Sequence, residues 1–225
     1  MKQITVLLAD DHRVVMEGLQ MLLNLEDDIE VIGEARTGRE ALQMTKKLHP
    51  SVVVMDVAMP GLNGLEATRQ ILKAVPATKV LVLSAHSDDA YVEQFIKLGA
   101  SGYITKQSTT QVLANAIREV QKGNIYFGPS ISRRLHDRNR TSLNRKGQIK
   151  KIHVRLSSRE VEVLQLIAEG QAHKQIASEL DISIKTVEKH RQHIMEKLSI
   201  HDTAGLTRYA IAAGIIESSI QITIE

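Results

Sequence analysis

Residues 52–64, VVVMDVAMPGLNG, constrain the fold more than any other stretch of the chain. Four consecutive apolar residues, Val52 to Met55, are typical of a strand that is buried on both faces of a parallel sheet. The strand ends at Asp56, and a loop containing Pro and Gly follows. Because open parallel sheets bind ligands at the carboxyl ends of their strands, Asp56 is the first candidate functional residue. Taken alone, the stretch also allows Asp56 merely to cap a turn.

The start of the chain has the same form, since an apolar strand at residues 4–9 leads directly into Asp10 and Asp11. Neighbouring strands lie about 5 Å apart, so the three carboxylates are expected to converge and to need a cation. With no Cys and no well-placed His, the ligands would be oxygens, which favour Mg²⁺ at a site that also receives phosphate oxygens. With that ion bound, Asp56 can attack a phosphoryl group and form an aspartyl phosphate.

Length and composition exclude several classes of protein. A chain of 225 residues is long enough for two modest domains. It has no Cys, so it forms neither disulfides nor thiolate metal sites, which fits a reducing compartment. No apolar run approaches the roughly 18 residues of a membrane span, and residues 4–9 are too short for a signal sequence. We therefore expect a cytoplasmic protein without a membrane partner.

Strand and helix patterns alternate through residues 1–127, which predicts a doubly wound, five-stranded parallel sheet. The predicted strands are 4–9, 29–34, 52–56, 79–84 and 101–105, and the predicted helices are about 13–24, 38–48, 64–74, 88–98 and 109–122. Ser84 and Lys106 end or follow the last two strands, at the edge that carries the acids. A Lys ammonium can pair with Asp56 and then with a phosphate, and a Ser hydroxyl can bond a phosphoryl oxygen. Taken singly, Ser84 would be a cap and Lys106 a solvated charge.

From Leu156 the pattern is helical and predicts a small all-α domain over residues 156–218. Ser157 and Glu160 form a capping box, and Gly170 ends that helix. Two further helices with a tight joint, the second being IKTVEKHRQHIMEKL, indicate a helix-turn-helix. On that helix, the spacing of Val187, Ile194 and Leu198 predicts the buried face. We have no functional account of the tail, residues 219–225.

Positive charge is concentrated between the two predicted domains. Lys/Arg minus Asp/Glu is 13 − 15 = −2 for residues 1–127, 9 − 1 = +8 for residues 128–156 and 7 − 10 = −3 for residues 157–225. Residues 128–155 are therefore predicted to be a basic, partly helical linker. Part of residues 133–155 is expected to lie along a DNA backbone, unless the charges serve only to keep the linker extended and soluble or dock it on the acidic N-terminal domain.

Residues 3–122 resemble the receiver domain of two-component response regulators. The motifs that carry the resemblance are ITVLLADDHRVV with Asp10, VVVMDVAMPGLNG with Asp56, KVLVLSAHSDD with Ser84 and SGYITKQS with Lys106. The resemblance implies a flavodoxin-like sheet of order 2-1-3-4-5, a sensor histidine kinase as partner, and Asp56 as phosphoacceptor. It implies a Mg²⁺ site, a switch and a phosphate-pairing cation. The Mg²⁺ ligands would be Asp10, Asp11, Asp56 and the backbone carbonyl of Ala58. The switch residues would be Ser84 and Tyr103. The cation that pairs with the phosphate would be Lys106. Gln107 stands where many receivers have Pro, so a cis peptide bond after Lys106 is not expected.

Residues 156–216 resemble LuxR-type DNA-binding domains, in the segments LSSREVEVLQLIAEG, KQIASELDIS, KTVEKHRQHIMEKL and RYAIAAGII. The resemblance implies that the third helix enters the major groove of a double-stranded operator and that the last helix forms a homodimer when the protein is phosphorylated. It assigns base reading to Glu188, Lys189 and Gln192, phosphate contacts to Lys185, Thr186 and Arg191, and partial burial to His190. Both domains together resemble response regulators of the NarL/FixJ kind.

We therefore predict a phosphorylation-controlled transcription regulator that is not an enzyme beyond self-phosphorylation and self-dephosphorylation at Asp56. One alternative is a Mg²⁺-dependent phosphohydrolase of the haloacid dehalogenase kind, but its general acid would stand two residues after the nucleophile, where this chain has Ala58. The other alternative is a pseudo-receiver that binds DNA without phosphorylation. The complete set of acids, Ser84 and Lys106 argues against that second reading.

Overall fold

The structure, a computed structural model, describes residues 3–85, 89–108, 110–129, 131–132 and 156–216. Its elements fall into two compact units. The first contains β1 (Ile4–Ala9), α1 (Arg13–Leu23), β2 (Ile29–Ala35), α2 (Gly38–Leu48), β3 (Val52–Asp56), α3 (Gly64–Ala74), β4 (Lys79–Ser84), α4 (Asp89–Leu98), β5 (Gly102–Thr105), α5 (Thr110–Gln121) and β6 (Tyr126–Phe127). The second contains α6 (Ser158–Ala168), α7 (His173–Glu179), α8 (Ile184–Leu198) and α9 (Thr203–Ala212).

The first unit is a doubly wound α/β domain whose strands all run parallel, in the order β2-β1-β3-β4-β5-β6. The predicted fold class and the order of the first five strands are confirmed, but the predicted number of strands is wrong by one. The added strand, β6, pairs Tyr126 and Phe127 with Gly102 and Tyr103. Two residues are too few to show the alternation by which a strand is recognised in a sequence.

The strand that delivers Asp56 lies at the centre of the sheet. Val52 to Met55 are each at most 1% exposed, as their uninterrupted apolar run predicts. Val52 and Val54 pack in one core cluster with β1, β4 and residues of α5 such as Ile117. Because side chains alternate along a strand, Val53 and Met55 face the opposite layer. Because the strand is packed on both faces, the backbone that carries Asp56 is held in a fixed position.

In residues 156–216, four helices of the second unit pack around one apolar core. The capping box predicted for α6 is present, with Ser157 accepting from the Glu160 amide at 3.3 Å and Glu160 accepting from the Ser157 amide at 2.7 Å. Val187 and Ile194 of α8 are fully buried, and Leu198 packs partly buried against the same core, as predicted. The helix-turn-helix therefore presents the remaining face of α8 to solvent.

Some expectations concern residues that the structure does not describe. Residues 129, 131 and 132 of the predicted linker are helical, but residues 130 and 133–155 lie outside the described residues. The tail, residues 219–225, lies outside them as well. The linker and domain boundaries therefore stay predictions. Within the described ranges, none of the helices has the length and apolar character that crossing a membrane requires.

Candidate functional site

Four predicted site residues meet at one edge of the sheet of the first unit. Asp10 directly follows β1, Asp56 and Ser84 are the last residues of β3 and β4, and Lys106 follows β5. The parallel register places these ends side by side, with Asp56 opposite Leu83 and Ser84 opposite Thr105. Asp10, Asp56 and Ser84 are each at most 4% exposed. Their burial at a sheet edge, next to one another, is typical of a functional site.

Lys106 joins the two buried carboxylates. Its Nζ lies 2.7 Å from Asp10 Oδ2 and 3.0 Å from Asp56 Oδ2. The Lys106 amide also donates to the Ser84 carbonyl at 2.8 Å, which holds the ends of β4 and β5 together. The predicted pairing of Lys106 with Asp56 is therefore present, and Lys106 in addition neutralises Asp10.

Asp56 is held in an environment that disfavours its charge. Burial, followed by the negative charge of Asp10, raises the pKa of Asp56 to about 6, although Lys106 acts in the opposite direction. One oxygen, Oδ1, accepts a hydrogen bond from the Val57 amide at 2.8 Å, and the other faces Lys106. A second positive group at this edge would relieve the remaining repulsion between the carboxylates.

The residues at this edge fit a divalent cation. Asp10, Asp11, His12 and Asp56 each offer one ligand atom, and these atoms lie within 4.8 Å of one another. Carboxylate oxygens from three side chains form a donor set that Mg²⁺ accepts. Ala58, whose carbonyl was expected to be a further ligand, lies half-buried in the loop two residues after Asp56.

The expectation that no His is well placed for a metal is wrong. His12 Nδ1 lies 3.1 Å from Asp10 Oδ1 and 2.9 Å from Asp11 Oδ1. Its position directly after the acid pair was the available signal in the sequence. That signal was missed because the orientation of a side chain at the start of a helix does not follow from the sequence pattern.

Gly64 is a second residue whose role the sequence did not reveal. Its amide donates to the Val57 carbonyl at 2.8 Å and thereby closes the loop that follows Asp56. A Cβ on Gly64 would lie 1.8 Å from the carbonyl oxygen of Asp56. Only a residue without a side chain allows the start of α3 to approach the Asp56 backbone so closely.

Tyr103, the predicted aromatic switch, is buried on β5 with 1% of its surface exposed. Its ring meets that of Phe95 edge to face, with ring centroids 5.9 Å apart. The inward position that was expected after phosphorylation is therefore the position described here. No cis peptide bond follows Lys106, in keeping with Gln107 at the next position.

The predicted base-reading and phosphate-contact residues all lie on α8 of the second unit. Ser183 caps the helix by accepting from the Thr186 amide at 3.1 Å. The exposed members of the set are Lys185, Glu188, Lys189 and Gln192, and the half-buried ones are Thr186 and Arg191. His190 is half-buried, as predicted, and burial, followed by the nearby charge of Arg159, lowers its pKa. The first half of α8 thus offers long polar side chains on one exposed face.

An ion pair and a hydrogen bond tie α8 and the turn before it to α6 within the second unit. Lys197 Nζ lies 2.7 Å from Glu160 Oε2 on α6. Arg159, also on α6, donates to the Leu180 carbonyl at 2.6 Å in the turn before α8. A helix fixed in this way can present its exposed face as a rigid unit, which is what insertion into a groove of DNA requires.

Comparison with known families gives two matches along the chain. Residues 6–118 match the response regulator receiver domain, and residues 154–210 match the bacterial regulatory proteins of the luxR family. The first match contains the acidic edge of the sheet, and the second contains the helix-turn-helix.

Individual relatives match both parts at once. The chain is 38% identical over 215 residues to the oxygen regulatory protein NreC of Staphylococcus carnosus, covering 94% of this chain and 99% of that protein. Among solved structures, the RcsB response regulator of Salmonella typhimurium aligns with a TM-score of 0.58 and 29% identity, covering 94% of this chain and all of that one. A structure of the RcsB–DNA complex aligns with a TM-score of 0.57 and 29% identity, covering 92% of this chain and 98% of that one.

Proposed function

We propose a mechanism from one premise: the chain belongs to the response regulators of the NarL/FixJ kind, which are DNA-binding transcription regulators of two-component systems. In this mechanism, Asp56 accepts a phosphoryl group from a sensor histidine kinase. The observation that carries the proposal is the buried position of Asp56 at the end of the central strand, 3.0 Å from Lys106 Nζ and beside Asp10.

The protein's own groups prepare Asp56 for attack on phosphorus. At a pKa of about 6, most of the Asp56 carboxyl is ionised at neutral pH, and the ionised form is the one that attacks phosphorus. Lys106, already next to the attacking carboxylate, can pair with the oxygens of the arriving phosphoryl group. A Mg²⁺ ion held by Asp10, Asp11, Asp56 and the Ala58 carbonyl would neutralise those oxygens during in-line transfer.

Chemistry at Asp56 serves signalling, because the group that receives the phosphoryl group from the kinase is the protein's own carboxylate. Phosphorylation and dephosphorylation of Asp56 make the receiver a switch, whereas a phosphohydrolase acts on a separate substrate. A phosphohydrolase of the haloacid dehalogenase kind would also need an acid at position 58, and Ala58 cannot protonate a leaving group. The protein is a transcription factor, and we place its action in the cytoplasm, where it would meet both kinase and operator.

Ser84 is proposed to report the phosphate to the rest of the receiver. Its position at the end of β4, buried next to the end of β5, would allow its hydroxyl to bond a phosphoryl oxygen. Tyr103 on β5 already lies in the inward position, so a phosphate that held Ser84 would favour that position of Tyr103. The phosphate can shift the receiver between its two states only as far as it binds them with different affinity. This switch is proposed to promote dimerisation through α9 and binding to DNA.

A Ser84→Ala variant should therefore become phosphorylated and yet respond poorly. The variant keeps Asp56, Lys106 and the acids, so a small phosphodonor with Mg²⁺ should still label it. Phosphorylation should raise operator affinity of the wild type but leave that of the variant nearly unchanged, as measured by fluorescence anisotropy of labelled DNA. An affinity gain equal to that of the wild type would remove Ser84 from the switch. Ser51→Ala serves as a control that should respond normally, because Ser51 directly precedes β3 and lies at the other end of that strand from Asp56.

DNA recognition is proposed for the exposed face of α8. Glu188, Lys189 and Gln192 would read base edges in the major groove, while Lys185, Thr186 and Arg191 would hold the DNA backbone. The proposal is supported by the exposure of Lys189 and Glu188 beside the buried anchor Val187. Part of the segment 133–155 would add phosphate contacts without sequence preference.

Lys189→Ala should cost about 1 to 3 kcal/mol on the specific operator if Lys189 reads a guanine, and much less on random DNA. Lys185→Ala is the matched comparison, because loss of a phosphate contact weakens binding to both DNAs alike and flattens the salt dependence. Titration of each variant with operator and with random DNA, at several salt concentrations, measures the difference. Equal losses on both DNAs for Lys189→Ala would show that Lys189 does not read a base.

A further inference from the structure

His12 occupies an unusual place for a histidine. It is the N-cap residue of α1, with extended backbone angles of φ −83° and ψ 104°, but its side chain makes no capping hydrogen bond. Residues at this position commonly turn a side-chain oxygen onto the first helical amides. The imidazole of His12 instead lies against the carboxylates of Asp10 and Asp11, with Nδ1 3.1 Å and 2.9 Å from their Oδ1 atoms.

The backbone strengthens this arrangement. The His12 amide donates to Asp10 Oδ1 at 2.9 Å, so that this oxygen is fixed on the side of the imidazole. The other oxygen of Asp10, Oδ2, pairs with Lys106 Nζ at 2.7 Å. The two oxygens of Asp10 are thus divided between Lys106 on one side and the amide and imidazole of His12 on the other.

The distances around Nδ1 suit a shared ion. Ligands at about 2.1 Å from an octahedral ion lie about 3.0 Å from their nearest neighbours. The 2.9 Å and 3.1 Å separations of Nδ1 from the two carboxylate oxygens match that spacing. A hydrogen bond spans a similar distance, so the imidazole can bridge the two carboxylates until an ion takes its place between the three atoms.

We propose that His12 is a ligand of the divalent-cation site and that its imidazole makes the site prefer transition ions such as Mn²⁺, Co²⁺ and Ni²⁺ over Mg²⁺. The inference rests on the proposed cation site and adds a nitrogen donor to it. Oxygen donors alone suit Mg²⁺, whereas imidazole adds little for Mg²⁺ and increasingly more along the series from Mn²⁺ to Ni²⁺.

The test is a series of metal titrations of the full-length protein, without phosphodonor or DNA. Isothermal titration calorimetry would compare Mg²⁺, Mn²⁺, Co²⁺ and Ni²⁺ on the wild type and on His12→Ala, which removes no capping bond from α1. The expected loss of Mn²⁺ affinity is at least about tenfold, the lower end of what losing even an outer partner of a metal site costs. The loss should grow from Mn²⁺ to Ni²⁺, and the change for Mg²⁺ should be clearly smaller than that for Mn²⁺.

A spectroscopic measurement identifies the ligand directly. Pulsed electron paramagnetic resonance of the Mn²⁺-loaded wild type should show coupling to a directly bound nitrogen, and His12→Ala should lose it. His49→Asn is the matched control, because His49 caps the end of α2 with a positive φ of 47° that Asn tolerates. That variant should keep both the affinity series and the nitrogen coupling.

Each outcome separates this inference from the proposed function. Unchanged or higher affinities in His12→Ala, equal losses for all four ions, or a wild-type spectrum without nitrogen coupling would overturn the role of His12 while leaving the carboxylate site intact. Failure of the carboxylate site itself would appear differently, as metal affinities that Asp11→Asn does not lower.

Discussion

Asp56→Asn should take up no phosphoryl group from acetyl phosphate in the presence of Mg²⁺, whereas the wild type should take up one. Asn lacks the negative charge and the nucleophilic oxygen that form an aspartyl phosphate. It retains the size of Asp and can still accept from the Val57 amide, so the fold should be preserved. Intact-mass spectrometry after a fixed incubation time measures the uptake.

Two variants give this experiment its controls. Asp27→Asn changes an exposed carboxylate outside the acidic edge and should be labelled like the wild type. Asp11→Asn should still be labelled but should need more Mg²⁺, because one of three carboxylate ligands is lost. Labelling of Asp56→Asn at the wild-type rate would show that another residue accepts the phosphoryl group.

Gly64→Ala should destabilise the first unit by at least about 3 kcal/mol, the upper end of the usual cost of overpacking. The added Cβ would lie 1.8 Å from the Asp56 carbonyl oxygen. Neither atom can rotate away, because the oxygen belongs to the backbone and Cβ is bonded directly to it. The loop after β3 would have to move, together with the backbone that carries Asp56. The variant should therefore also be labelled more slowly by a phosphodonor.

Gly18→Ala is the matched control for this substitution. Gly18 lies inside α1, and a Cβ there would meet nothing within 4 Å. Replacing an interior helical Gly by Ala should stabilise the same unit by about 0.5 to 1 kcal/mol. Differential scanning calorimetry of the full chain measures both variants, and the transition that shifts on addition of Mg²⁺ identifies the first unit. A Gly64→Ala variant as stable as the wild type would mean that the loop adapts without cost.

Most elements of the fold and most of the acidic edge were predictable from the chain alone. The run from Val52 to Met55 predicted a strand buried on both faces, and the structure confirms it. The order of the first five strands in the sheet was implied by the family resemblance, and the structure confirms that order too. Asp10, Asp56 and Lys106 were expected together because parallel strands end at a common edge. The sixth strand, β6, was not predictable, because pairing with β5 rather than its own two residues makes it a strand.

The sequence by itself determined which residues are available at each strand end, because apolar runs, breaks and acid positions are local properties of the chain. Only the tertiary structure decided how those residues meet. Lys106 bridges Asp10 and Asp56, His12 turns from its helix onto Asp10 and Asp11, and Gly64 approaches the Asp56 carbonyl. Most of these contacts depend on ångström-scale distances between atoms from different strands and loops. Such distances are set by the packing of the whole core, and a pattern of residue types does not contain them.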